Sequence, residues 1–560
     1  MSEKTSIGII LSGATTREAS CQLLEEAESG EIFEGMLVLI HLQNKKPVLA
    51  RISGIIPYNA FYTEGDPWSE ARRKNLPIPE NIARQYEICK LELLIELGGY
   101  EVKYPPRPGD YVSRIDPKKH VKDIFGISPT DPKYVWYGSL IGYENCPIPL
   151  DVEKIPMHMA IFGTTGSGKS FDTGVLIEKL LNIPLNETTR LSFPMLIIDA
   201  NGDYLDYITH IQKNKELQKV GWIKRFIFPE NFIKGNIDNK DKEHIFQIKI
   251  DLDALSKREL AETIIMFYKG TTEGAELQLS GIVTLFDFME EIRSYSSRHD
   301  LFVNNYQDLI HTLFDDQQIP NNIIAYQTKC AMQRSFEKFR EIDVQHRLLS
   351  NKNHSLLTNE KFIDLITKEG GIAIIDFSEE GATGIDIAIK QLVMTYLATI
   401  LFNQFAKFKI TKKERYLLFL IEEAQNFVPD SSYPVGSSLA KNKLSIIATQ
   451  GRKFGLSLCL ISQRPSFVNR IVLSMCNTFF IHRLSPEDVN YVKSVTGGLP
   501  STFSNKLTSL PQGELIVSGQ MNKVPFPLLI KIKKSDRTVI HTAGSTNVVE
   551  RLGALRKGEE

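Results

Sequence analysis

Gly163-Thr164-Thr165-Gly166-Ser167-Gly168-Lys169-Ser170 is the stretch on which the fold turns, because it fits G-x-x-x-x-G-K-[ST] at every specified position. Before it, Met157-His158-Met159-Ala160-Ile161-Phe162 is a short apolar run that reads as a buried strand. After it, Phe171 to Leu181 carries apolar residues at helical spacing. Strand, glycine loop and helix in that order are the context a phosphate-binding loop needs. Glycines let successive backbone N–H groups converge on phosphate oxygens, and the helix presents its positive end to the same anion. Gly163 through Phe171 are therefore expected to hold ATP, with Lys169 reaching the β- and γ-phosphates and Ser170 ligating Mg²⁺. A glycine-rich turn that binds nothing is the plain alternative, and both flanks weigh against it.

Downstream, strand-like and helical segments alternate, as in a parallel sheet flanked by helices. Met195-Leu196-Ile197-Ile198-Asp199 reads as a buried strand running into Ala200-Asn201-Gly202-Asp203-Tyr204. Asp199 and Asp203 either face the nucleotide edge of the sheet or cap a turn. Residues 255–360 lack buried strands and read as a helical insertion, and strands resume at Gly371-Ile372-Ala373-Ile374-Ile375-Asp376-Phe377. A second strong signal is Tyr416-Leu417-Leu418-Phe419-Leu420-Ile421-Glu422-Glu423, an apolar run ending in two carboxylates. Glu422 is expected to hold Mg²⁺ or its water, and Glu423 to orient and polarise the attacking water. Further on, Gly451-Arg452-Lys453-Phe454-Gly455 precedes the strand Leu456–Ile461, which ends in Ser462-Gln463-Arg464-Pro465. Gln463 is placed to sense a γ-phosphate or to position water. Arg452 either reaches a neighbouring subunit's γ-phosphate or simply solvates a helix end.

Upstream, Gly35–Leu42, Pro47–Ile55 and Lys90–Leu97 read as strands separated by Gly, Pro and Asn, with a long polar loop around Thr63 to Arg84. Its prolines argue against a central strand at Pro105–Val112. A small antiparallel β-barrel is expected, followed by a linker through Pro147 and Pro149.

A chain of 560 residues should divide into roughly two to four domains. A charged fraction of 24% and a hydrophobic fraction of 42% describe an ordinary globular protein. No apolar run reaches bilayer-spanning length, and MSEKTSIGII lacks a signal-peptide pattern. The six scattered cysteines form no C-x-x-C pair, which suits a reducing cytoplasm. A net charge of −1 argues against a wholly basic nucleic-acid coat and leaves room for a local basic channel.

Assembled in order, these motifs resemble those of HerA-type ATPases in the FtsK–HerA branch of P-loop motors. The resemblance runs from Pro105-Pro106-Arg107-Pro108-Gly109 through the P-loop, Asp199–Tyr204, Ile421–Phe427, Gly451–Gly455 and Ser462–Pro465. It continues through Cys476-Asn477-Thr478, His482-Arg483-Leu484 and Leu510-Pro511-Gln512-Gly513-Glu514. The chain departs from relatives at Gln425, where they often carry His, and at Met157, where many carry a basic residue. The resemblance implies an α/β, RecA-like P-loop core with an inserted helical subdomain, preceded by a small N-terminal β-barrel. The corresponding divisions are 1–130 barrel, 131–150 linker, 151–254 and 361–529 core, 255–360 helical insertion and 530–560 tail. It further implies a hexameric ring that translocates on double-stranded DNA and works with a separate effector, often a nuclease. ATP would then lie between subunits, with Lys169, Ser170, Glu422, Glu423 and the sensor Gln463 on one side and Arg452 supplied by the next. The competing class is a nucleotide-regulated ring scaffold whose barrel organises a nuclease or NAD-consuming effector in phage defence. Lys441 and Lys443, expected in the loop after Glu423, are candidate pore residues or a solvated charge cluster. The tail either braces a neighbouring subunit or is a polar end.

Overall fold

Alternating burial along Tyr86–Glu96 and Glu18–Leu23 turns one face of each strand inward, and these two close into a barrel with four further strands. A computed structural model describes residues 6–27, 32–64, 68–77, 85–128, 130–186, 189–211, 223–234, 244–350, 360–433 and 438–539. Its strands β1 (Ser6–Ile10), β2 (Glu18–Leu23), β3 (Leu37–His41), β4 (Val48–Tyr58), β5 (Tyr86–Glu96) and β6 (Tyr111–Arg114) form a closed barrel in the order β1-β2-β5-β4-β3-β6. Ile10, Leu23, Val38, Ile40, Val48, Ile52, Leu91 and Val112 fill its interior.

Two expectations need correction here. Tyr111–Arg114 pairs with both β1 and β3 and so is a central strand of the barrel. The prolines stop at Pro108, and Gly109 (φ 92°) turns the chain before the ladder begins, so no proline occupies a hydrogen-bonding position. The expected linker at 131–150 also contains paired structure. Tyr134–Tyr137 runs antiparallel to Ile148–Asp151, with Pro149 opposite Trp136. The polar loop after Thr63 includes a short helix, Ser69–Arg73.

The chain forms two compact units, one of Met1–Val152, Thr164–Gly168 and Thr478–Asp536, the other of Glu153–Gly163, Lys169–Asn477 and Arg537–Glu560. In the first, Thr478–Ile481, Glu514–Gly519, Leu528–Lys531 and Ser139–Leu140 pair antiparallel in that order. Arg51 of β4 ties the barrel to this part. Its guanidinium is fully buried, donates to Pro527 O at 2.6 Å, pairs with Glu92 at 3.2 Å and lies 4.2 Å from the Phe503 ring centroid.

In the second unit, parallel strands run in the order Ile245–Gln247, Ile223–Ile227, Ile372–Asp376, Met195–Asp199, Leu417–Ile421, Leu456–Ser462 and Met159–Phe162. Met195–Asp199, Ile372–Asp376 and Leu417–Ile421 are buried at every position, as strands covered on both faces must be. Between Ser256 and His346 lies helical structure. A capping box of Ser256 and Glu259 starts Lys257–Lys269, and Gly270 at φ 77° ends it. Phe286, Phe302, Phe336 and Phe339 interlock to bind Glu276–Glu291, Arg298–Val303 and Tyr326–His346. The architecture is thus an α/β parallel-sheet core with a helical subdomain, and an N-terminal β-barrel, as expected from the sequence.

Candidate active site

The strand Met159–Phe162 delivers the glycine loop, and the helix Lys169–Leu181 follows it at once. Gly166 (φ 74°) and Gly168 (φ 99°) take left-handed backbone that side chains resist. Thr164 donates its N–H (2.9 Å) and its hydroxyl (3.2 Å) to Arg483 O, and Gly513 N–H donates to Ser167 O at 3.1 Å. A Cβ at Gly168 would stand 3.1 Å from Gly513 N. The loop is thus held from behind, while space around Gly166 is open. Ser167 Oγ is buried with no hydrogen-bond partner among the described residues. An open rim at Gly166 and an unmatched buried hydroxyl at Ser167 fit a bound phosphate oxygen.

Glu422 leaves the strand Leu417–Ile421 with its N–H donating to Ile198 O at 3.2 Å. Its buried carboxylate accepts from Ala200 N–H at 3.1 Å and from the Tyr204 hydroxyl at 2.8 Å. Burial, with Asp199 and Asp203 nearby, pushes its pKa well up, and the Lys169 ammonium opposes this. Asp199 accepts from the N–H groups of Asn201, Gly202, Asp203 and Tyr204. Burial lifts its pKa to about 7 although the Tyr204 N–H stabilises its charge. Asp199 therefore caps the turn that carries Tyr204, and Tyr204 in turn holds Glu422. Ser170 and Glu422 offer hard oxygen donors to Mg²⁺. Among the described residues no group of three or more His, Cys, Asp or Glu is placed to hold a metal ion.

Glu423 is different. Its backbone is left-handed (φ 46°, ψ 48°), a conformation costing about 1 kcal/mol or more in a non-glycine residue. Its half-buried carboxylate accepts from Gln463 Nε2 at 2.6 Å on Oε1 and from Gln425 Nε2 on Oε2. The Ser462 hydroxyl donates to Gln425 Oε1 at 2.8 Å, which fixes that amide's orientation. Two amides thus aim one carboxylate without adding a charge.

The structure gathers Lys169, Glu422, Glu423 and Gln463 at the ends of neighbouring strands and the helix start, and leaves Arg452 apart. Arg452 is exposed on the single turn Gly451–Phe454 and shares no hydrogen bond or ion pair with those side chains among the described residues. Glycines set that turn. A Cβ at Gly451 would be 2.6 Å from Leu456 O, and one at Gly455 (φ 85°) 2.0 Å from Arg415 O. Lys441 and Lys443 lie on the helix Lys441–Gln450 and not in a loop, because the apolar spacing of Leu444, Ile447 and Ala448 buries one face. Lys443 Nζ is 3.9 Å from Glu259 Oε1, in the helical subdomain.

Three contributors escaped the motif reading. Tyr204 and Gln425 stood inside quoted motifs without an assigned role, though a tyrosine and an amide beside paired carboxylates are a usable signal. Arg537, whose guanidinium is 5.4 Å from the Phe171 ring centroid, follows no motif at all. Residues 540–560, most of the expected tail, lie outside the described residues.

Residues 135–401 match the family described as helicase HerA, central domain. A probable helicase of Methanocaldococcus jannaschii is 26% identical over 78% of this chain and 72% of its own length. The DNA double-strand break repair helicase HerA of Saccharolobus solfataricus is 23% identical over 99% of this chain and 98% of its own. Among solved structures, VirB4 of Thermoanaerobacter pseudethanolicus overlaps 73% of this chain and 99% of its own at 13% identity, with a TM-score of 0.46.

Proposed function

We propose that this chain is a HerA-type helicase and P-loop ATPase, on its similarity to those proteins, and that it hydrolyses ATP to drive translocation along double-stranded DNA. The observation that carries the reading is the split between the two carboxylates. Glu422 is buried beside Lys169, while Glu423 is half-buried and aimed by Gln463 and Gln425. A buried carboxylate near the phosphate lysine suits holding Mg²⁺ with Ser170. An accessible, oriented one suits accepting a proton from water. Gly163 to Phe171 would bind the triphosphate. Mg²⁺, when bound, would neutralise charge building on the phosphate oxygens.

Arg452 sits exposed and, among the described residues, shares no hydrogen bond or ion pair with this site, which is compatible with its being supplied to a neighbouring subunit's ATP. A site completed in that way requires a ring, and we propose a homohexamer. Its grip on DNA would be electrostatic and independent of sequence. A separate effector, a nuclease or a NAD-consuming protein, would dock on the N-terminal barrel, in DNA repair or phage defence in the cytoplasm. Among the described residues no helix is long and apolar enough to cross a membrane.

The test is the ATPase rate of mass-checked oligomer with and without long linear duplex DNA. Stimulation of several-fold that is lost in Arg452→Ala supports the motor. An intact ring whose turnover ignores DNA overturns it and leaves the effector-organising scaffold.

A further inference from the structure

Phe171, Gly174 and Glu178 stand three and four residues apart on the helix Lys169–Leu181, so they share one face. Arg537, Thr538 and Val539, some 360 residues further on, occupy that face. The Arg537 side chain is buried, with its guanidinium 5.4 Å from the Phe171 ring and 5.9 Å from the Tyr207 ring. Its Nη1 donates to Ser170 O at a long 3.5 Å. Only glycine at 174 admits it, since a Cβ there would lie 2.3 Å from Arg537 Cζ. Beyond it, the buried Glu178 carboxylate accepts from Thr538 N–H (2.8 Å), the Thr538 hydroxyl (2.6 Å) and Val539 N–H (3.0 Å).

We propose that Arg537 is a positioning residue for the nucleotide. Its guanidinium, seated on Gly174 between Phe171 and Tyr207, fixes the first turn of the helix that presents Lys169 and Ser170. This rests on reading Gly163–Ser170 as the ATP site. The physical reason is leverage. A planar cation filling a groove against two rings and a main-chain carbonyl resists rotation of that turn, and Glu178 anchors the same segment about one and a half turns away.

The experiment uses the full chain and a fluorescent ATP analogue, with steady-state ATPase in parallel. Arg537→Ala is expected to raise both the analogue's Kd and the KM for ATP about tenfold, with kcat within about twofold of the parent. Gly174→Ala, which evicts the guanidinium, should do the same. The double variant should bind no more weakly than the worse single one, because both remove one contact. Glu178→Gln, which turns an acceptor oxygen into a donor towards Thr538 and Val539, should weaken binding in the same direction and stands in if Arg537→Ala does not fold. Unchanged Kd in Arg537→Ala and Glu178→Gln overturns the proposal. So does a loss of kcat at constant KM, or full additivity between the Gly174 and Arg537 changes. A parent chain that binds no ATP refutes the P-loop reading itself, a separate result.

Discussion

Gln463 donates its side-chain amide to Glu423 Oε1 across 2.6 Å, and Glu423 adopts a left-handed backbone at the point where it receives that bond. Strain at one residue and an aimed amide at the other define the same carboxylate. Replacing Glu423 by Gln keeps its size and removes its basicity. Glu423→Gln should bind ATP with near-parent affinity and lose about 10²–10⁴ in turnover. Filter binding beside single-turnover hydrolysis checks both halves, and parent-level turnover would remove Glu423 from the role of base.

Lys169 places its ammonium in a buried position next to the Glu422 carboxylate. Lys169→Ala should weaken nucleotide binding at least about 100-fold by deleting the charge-assisted contact to phosphate. Isothermal titration with ATP and with ADP reads the loss directly.

Arg452→Ala should reduce turnover about 10³-fold in the assembled protein, the usual magnitude for an arginine finger. Mixing Arg452→Ala with Glu423→Gln subunits should restore part of the rate, since some interfaces then pair an intact Glu423 with an intact Arg452. A mixture no faster than either parent variant would place Arg452 outside the neighbour's site.

Arg51→Ala removes the bond to Pro527 O and the stacking on Phe503 from a fully buried position. Glu92 remains partly exposed, so the ion pair itself contributes little. The expected loss is about 2–4 kcal/mol, read as an earlier first transition in urea unfolding.

His158 combines φ 60° with burial, and its Nδ1 accepts from Leu458 N–H at 2.9 Å. Burial lowers its pKa from the ordinary 6.5 to about 4, and Arg452 adds to the effect. Between those values the unfolded chain binds a proton that the folded chain refuses, so stability falls as pH drops from 6.5 toward 4. The loss is at most about 3 kcal/mol. His158→Gln should flatten this slope, as measured by urea midpoints from pH 7 to 5.

How much of this was legible follows from how local each signal is. The glycine loop and the run into Glu422 and Glu423 are contiguous, and pattern alone locates them. Their unequal surroundings were not readable, because Asp199, Tyr204 and Gln463 reach them from other strand ends and the inward turn of Gln425 depends on Ser462. The barrel was visible from β3, β4 and β5, whose apolar runs are long. The strands Ser6–Ile10 and Glu18–Leu23 mix glycine, serine and glutamate and gave a weaker pattern. Pro149 and Pro105–Pro108 drew attention away from real strands beside them. Arg51 and Arg537 each find their partners hundreds of residues away, and no local periodicity encodes such a meeting.

The hydrogen bond from Gly513 N–H to Ser167 O also sets a timetable. A ribosome adds about 5–20 residues per second, so a nascent chain carries the whole P-loop long before it carries Gly513. Throughout that interval every consensus residue is present and the wall behind the loop is not. A truncated product lacking the late segment would keep Gly163–Ser170 and lack the bonds that Arg483 and Gly513 make to Thr164 and Ser167. Nucleotide binding as tight as the full chain's is therefore expected only after Arg483 and Gly513 have been made.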